Sequence, residues 1–147
     1  MKQKDTAVLM LLKTNSRKKL SQISKELHLP LTTTLLGYRR VQKYIKRNVS
    51  LLDFEKLQYP LQVFYFLRIK KETKDALHTL LEHPCINTAL QADDGQGYCI
   101  EAVFKNAKTY HSFTQLLKDL KPLELDWHEV IEEIVREAFP NRPDQLH

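Results

Sequence analysis

The chain has 147 residues, 42% hydrophobic and 28% charged, with a formal net charge of +5; this is ordinary globular composition and excludes a wholly disordered polymer. No run approaches the roughly 18 consecutive apolar residues of a membrane-spanning helix, and Met1-Lys2-Gln3-Lys4 leads into an amphipathic segment, not a secretory signal, so a cytoplasmic protein with no membrane partner is expected. The charge is split: the first fifty residues carry twelve Lys/Arg against two acids, Asp5 and Glu26, while the rest carry eleven against sixteen. A short basic segment joined to a mildly acidic body implies two tasks, one on a polyanion and one on protein or small ligands.

In chain order, Asp5 is placed to cap a first helix whose Val8, Leu9, Leu11 and Leu12 form an apolar face, broken at Asn15-Ser16. Leu20, Ile23 and Leu27 predict a second short helix. His28-Leu29-Pro30 makes a tight turn, because Pro starts a helix but does not continue one. A third helix is predicted over 31–44. Helix, three-residue turn and basic helix together form the signature of a helix-turn-helix that reads the major groove of double-stranded DNA. The candidate DNA contacts are Arg17, Lys18, Lys19, Ser21 and Gln22 before and on the second helix, and Thr32, Thr33, Gly37, Arg39, Arg40, Lys43, Lys46 and Arg47 on and after the third. Thr32 and Thr33 are the candidates for base-edge or methyl contacts, and Gly37 is either a point of close backbone approach to DNA or simply tolerated.

Residues 49–54 are expected to form a short extended wing, which gives a DNA-binding domain over 1–54, a hinge over 55–60 and a second domain over 61–147. Residues 61–70 alternate as a strand, with Leu61, Val63, Tyr65, Leu67 and Ile69 on one face and Gln62, Phe64, Phe66, Arg68 and Lys70 on the other. Both faces are largely apolar; helices are expected on one and a sheet from a partner subunit on the other. Thr73 is placed to cap a helix through about His83, ended by Pro84. Strands over 85–91 and 97–104 flank an Asp93-Asp94-Gly95-Gln96 turn, a hairpin in which Gln91 faces Tyr98 and Leu90 faces Cys99. That register sets Cys85 near Phe104, far from Cys99, and predicts two buried thiols with no disulfide and no metal site. Asn106 starts an amphipathic helix carrying Tyr110, Phe113, Leu116, Leu117 and Leu120, closed by Pro122. The order β-α-β-β-α is that of an α+β ferredoxin-like βαββαβ unit and requires a last strand, placed at 123–135 although Val130, Ile131, Ile134, Val135, Ala138 and Phe139 recur at helical spacing.

So laid out, the sequence resembles the Lrp/AsnC (leucine-responsive, feast/famine) transcription regulators along nearly its whole length. Asn15-Ser16-Arg17 and the run from Leu20 to Leu29 are similar to that family's entry into its helix-turn-helix. Ile45, Leu52-Asp53 and Leu57-Gln58-Tyr59 are similar to its wing and hinge, and Gly95-Gln96-Gly97-Tyr98, Ala102-Val103 and Phe113 to a strand and helix of its sensing domain. The resemblance implies a winged helix-turn-helix followed by a ferredoxin-like sensing and assembly domain, with no enzymatic activity and no cofactor. It implies a homodimer, in some members an octamer, and an amino acid or other small effector bound near Asp94, Gly95, Gly97 and Tyr98. Pro30 stands where the family usually has a Ser cap, and Cys99 where it has an Asp, a departure that bears on the effector. Two alternatives remain: an architectural protein that coats DNA with little sequence preference, and a siroheme decarboxylase-like subunit, a fold relative that relies on histidines. His28, His78, His83, His111 and His128 lie on separate elements and offer no ligand pair at useful spacing.

Overall fold

The computed structural model describes residues 1–92 and 94–146; Asp93, the first residue of the expected hairpin turn, lies outside the described residues. The chain forms two compact units, one comprising Met1–Leu51 with the chain from Val135 onward, the other Leu52–Ile134.

The first unit is built on three helices, α1 (Gln3–Thr14), α2 (Leu20–Glu26) and α3 (Leu31–Val41), the last running into a 3-10 turn at Gln42–Tyr44. Val8, Leu12, Ile23 and Val41 are its buried core, flanked by Leu9, Leu11, Leu27, Tyr38 and Ile45. Asp5 is not the cap of α1. It lies inside the first turn, its side chain 6% exposed, and accepts hydrogen bonds from Arg40 of α3, Nε to Oδ2 at 2.8 Å and Nη2 to Oδ1 at 2.7 Å. Gly37 lies beside this pair: a Cβ there would stand 3.2 Å from Asp5 Oδ1 and 3.4 Å from Val8 Cγ2, so the glycine permits the α1–α3 approach. No strand forms at 49–54, and the expected wing is absent as a β element, since the first unit holds no second strand among the described residues with which to pair. Beyond α3 the chain exposes Val49, Leu51 and Leu52 instead.

The second unit is a four-stranded antiparallel sheet in the order β2-β3-β1-β4, made of β1 (Leu61–Arg68), β2 (Ile86–Ala92), β3 (Gly97–Phe104) and β4 (Glu124–Glu129). Helices α4 (Lys74–Leu80) and α5 (Ala107–Asp119) cover one face of it. Val63, Tyr65, Leu67, Ile69, Ile100, Ala102 and Phe104 meet Leu77, Tyr110, Phe113 and Leu117 in the core, as the alternation of β1 and β3 requires. The Tyr65 hydroxyl is placed 2.7 Å from Thr114 Oγ1, whose own hydroxyl reaches the Tyr110 carbonyl, so the polar atoms within this core are paired. Asn106 caps α5 by accepting from the Thr109 amide, whereas Thr73 makes no side-chain cap on α4.

The hairpin register is the expected one, Gln91 opposite Tyr98 and Leu90 opposite Cys99. A β-bulge between Ile86 and Thr88 then shifts the pairing by one residue, so Cys85 accepts from the Val103 amide and does not face Phe104. Both cysteines are free; Cys85 is buried and Cys99 only partly so. Burial pushes the Cys85 thiol up to about 12. β4 is shorter than the predicted 123–135 strand. Its partner β1 starts at Leu61, immediately after Pro60, and the Val130 amide bonding to the Gln62 carbonyl is the last rung available. Residues 130–142 are irregular, and Ile131, Ile134, Val135 and Phe139 are exposed despite their helical spacing.

Leu117 is wholly buried under the sheet, and Leu117→Ala is expected to cost about 2–5 kcal/mol in urea-induced unfolding. The hydrogen bonds from Arg40 hold the Asp5 carboxyl below the usual carboxylate range against the opposing effect of its burial. The stability so supplied is complete above the unfolded carboxylate value, about pH 4, and is lost as pH falls through the lower folded value. Arg40→Ala is therefore expected to lower the melting temperature by several degrees at pH 7, whereas Arg39→Ala leaves it unchanged. Arg40→Ala should also flatten the wild-type loss of stability below pH 4, measured by circular dichroism across pH.

Candidate nucleic-acid interface

Helix α3 starts at Pro30, whose carbonyl accepts both from the Thr34 amide at 3.0 Å and from the Thr34 hydroxyl at 3.1 Å. This back-bond turns Thr34 inward. With Thr34, Gly37 and Val41 buried, the helical period carries Thr32, Leu36 and Arg39 to the opposite side, and Lys43 follows them on the 3-10 turn. These four side chains are exposed and form one line; Leu36 is 52% exposed within it. Arg17, Lys19 and Ser21 are exposed at the start of α2, and Lys46 and Arg47 beyond the 3-10 turn. The Lys43 ammonium lies 5.0 Å from the centre of the Tyr44 ring.

Not every residue in the predicted set is available. Gly37 is buried against Asp5 and Val8, so it serves the helix–helix contact and makes no backbone approach to a ligand. Arg40 is committed to Asp5, which raises its already high pKa through the shared hydrogen bonds. Lys18 Nζ bonds both oxygens of Glu26, at 2.8 and 2.7 Å. Gln22 Oε1 accepts from the Lys19 amide at 2.9 Å and fixes the first turn of α2. Thr33 is half-buried. Sequence reasoning missed Leu36, although it stands four residues after Thr32 and three before Arg39 on one helical line. It also missed Asp5 as the partner of Arg40.

The predicted effector residues gather at one end of the sheet. Asp94 bonds Arg68 at 2.6 Å and accepts from the Gln96 amide; these two contacts, the amide first, lower its pKa. Gly95 adopts φ of 85° in the turn, a conformation that suits glycine. Tyr98 points to the helix side of the sheet, where its hydroxyl is 3.0 Å from His78 Nε2 and 3.2 Å from Gln91 Nε2, and burial raises its pKa. Gly97 and Tyr98 border a shallow concavity together with Phe66, Arg68, Cys99 and Asp126; Asp94 and Gly95 are not among its lining residues. The Cys99 thiol is pushed up by burial and by the charge of Glu101.

The sheet face away from the helices carries Phe64, Phe66, Leu90 and Cys99, with Phe66 47% exposed. Glu101 lies buried on the same face and accepts from Gln62, from Asn87 Nδ2 at 2.7 Å and from Thr88 Oγ1 at 2.9 Å.

No family model matches the chain. It is 26% identical over 115 residues to the Bkd operon transcriptional regulator of Pseudomonas aeruginosa, covering 74% of this chain and 75% of the relative. Among solved structures it is similar to the transcriptional regulator NMB0573 of Neisseria meningitidis in complex with L-Met, at a TM-score of 0.80 and 18% identity over 92% of this chain and 93% of that one. An AsnC family transcriptional regulator from Agrobacterium tumefaciens follows at 0.76 and 20% identity, covering 92% and 94%. LrpC of B. subtilis superposes at 0.75 and 18% identity, covering 92% and 97%. The chain shares the fold of these structures, a helix-turn-helix unit followed by a ferredoxin-like sheet unit, as found in an AsnC family regulator.

Proposed function

We propose that this protein is a cytoplasmic transcription regulator of the Lrp/AsnC kind, which binds duplex DNA through α3 and the basic residues flanking α2 and α3. The observation that carries this reading is the exposed line Thr32, Leu36, Arg39 and Lys43 opposite the buried face of α3, together with exposed Arg17 and Lys19 before α2 and Lys46 and Arg47 after the 3-10 turn. The major groove of B-DNA admits an α-helix, and the exposed bases before α2 and after α3 supply charge to neutralise phosphates. Arg40 and Gly37 serve the frame that holds the reader, not the contact itself. In this reading the functional division falls at the 55–60 hinge, with assembly and sensing assigned to the sheet that follows it, while the chain from Val135 onward belongs to the first compact unit.

The open sheet face, with Phe64, Phe66 and Leu90 displayed around the Glu101 cluster, is the surface through which two copies pair, and octamers would be built from such dimers. Pairing presents two α3 helices to successive major grooves, about 34 Å apart, and favours near-palindromic sites. A small effector, an amino acid being the model offered by the Neisseria regulator's L-Met, is assigned to the sheet end that carries Asp94, Gly95, Gly97 and Tyr98. Cys99 in place of an Asp at that end alters the polarity such a ligand would meet.

In fluorescence-anisotropy titrations the logarithm of affinity for duplex DNA is expected to fall linearly with the logarithm of salt concentration. Arg39→Ala and Arg47→Ala should each reduce the slope by about one. A preference of about a thousand-fold for a selected site over random duplex distinguishes a regulator from a coating protein, for which the two affinities are equal. Phe66→Asp is expected to shift the protein to monomer in light scattering while leaving its circular dichroism unchanged; an unaltered mass would exclude the open sheet face from assembly.

A further inference from the structure

The exposed line on α3 is chemically uneven. Arg39 and Lys43 at its C-terminal half carry charge and hydrogen-bond donors, and Thr32 at its start carries a hydroxyl and a methyl. Leu36, between them, has neither donor nor acceptor, yet stands 52% exposed near the middle of the line. The reason is not a core requirement, because the core contacts of α3 are made by the opposite side, through Thr34, Gly37, Tyr38 and Val41. Isolated apolar side chains on a surface are common. This one is ringed by Arg39, Lys43 and, along the helix, Thr32, so whatever covers it must present an apolar group within a strongly anionic surround. The major groove offers that combination at one place, the C5 methyl of thymine, flanked on both sides by phosphates; the other base edges exposed there are polar.

We propose that Leu36 is a specificity-determining residue that packs against a thymine methyl in the major groove, with Thr32 supplying a second methyl contact one helical turn earlier. The inference rests on α3 being the DNA-reading helix, as proposed above. The charge of Arg39, Lys43, Lys46 and Arg47 selects duplex DNA as the occupant over an apolar protein surface, which would have to bury those cations unpaired. Lying nearer the C-terminal end of the helix than Leu36, Arg39 is left to address either a phosphate or a guanine edge, and Leu36 sets the preference for thymine at the neighbouring step.

The test uses the full chain and the best duplex selected from a random pool. Each thymine of that duplex is replaced singly by deoxyuridine, which removes the C5 methyl and nothing else. The wild-type protein is expected to lose about four-fold in affinity at one or two positions per half-site, the factor that covering one methyl group carries. Leu36→Ala, an exposed helical substitution whose fold is checked by circular dichroism, should bind the thymine duplex about as weakly as wild type binds the uracil duplex, and should no longer distinguish the two at the Leu36 position. Leu36→Gln provides a second variant that keeps the side-chain length and loses the apolar end; it too should be indifferent to the methyl. Salt-dependent, selective duplex binding with no uracil effect anywhere, or with effects that Leu36→Ala leaves intact at every sensitive position, overturns the role of Leu36 and leaves the DNA-binding reading standing. Absence of salt-dependent duplex binding overturns both.

Discussion

The orientation of α3 depends on one ion pair. Asp5 and Arg40 stand thirty-five positions apart, and their two hydrogen bonds tie the first turn of α1 to the last turn of α3. A small three-helix unit has little core to spare, and here four buried apolar residues supply most of it. A carboxylate buried to 4% exposure would be a liability without its guanidinium. Gly37 gives this approach room, since a Cβ there would stand 3.2 Å from Asp5 Oδ1 and crowd the carboxylate. The ion pair at the last turn and the burial of Thr34, Gly37 and Val41 together set which side of α3 faces outward.

This explains why a strongly basic segment presents only part of its charge. Of the twelve bases in the first fifty residues, Arg40 is used inside the unit and Lys18 is held by Glu26. Of the other ten, Arg39 and Lys43 lie on the exposed line along α3, while Arg17 and Lys19 precede α2 and Lys46 and Arg47 follow the 3-10 turn. The second unit follows another rule. Its core is conventional, strand alternation against two amphipathic helices, but its other face keeps phenylalanines and a leucine beside a buried glutamate. Such a face is neither a solvated surface nor a finished interior.

Much of this was legible in the sequence. The three helices, the turn at Pro30, the order β-α-β-β-α-β and the register of the hairpin follow from period, Gly and Pro positions and alternation, which are local properties. What escaped prediction depended on distant partners. Arg40 reads as one more base among many until Asp5 is found opposite it, and Gly37 reads as helix weakness until Val8 is seen against it. The segment 49–54 has strand-like composition but no strand to pair with. The run after Glu129 carries good helical spacing and was also expected to extend a strand; it does neither, because the length of β4 is set by where β1 begins, after Pro60. The set of DNA-contact candidates was drawn from charged and hydrogen-bonding residue types along the motif, which is why it included Arg40, engaged by Asp5, and omitted the apolar Leu36.

The irregularity in β2 has an effect that reaches past its own hydrogen bonds. With two residues opposing one on β3, Asn87 and Thr88 both turn their polar ends to Glu101, where a regular ladder would have sent one of them to the opposite side. The same extra residue bends and twists the outer margin of the sheet. An unbent margin would offer a template for strand-by-strand addition of further chains, the route to fibres. A bulged margin is a poor template for such growth on the β2 side of the sheet.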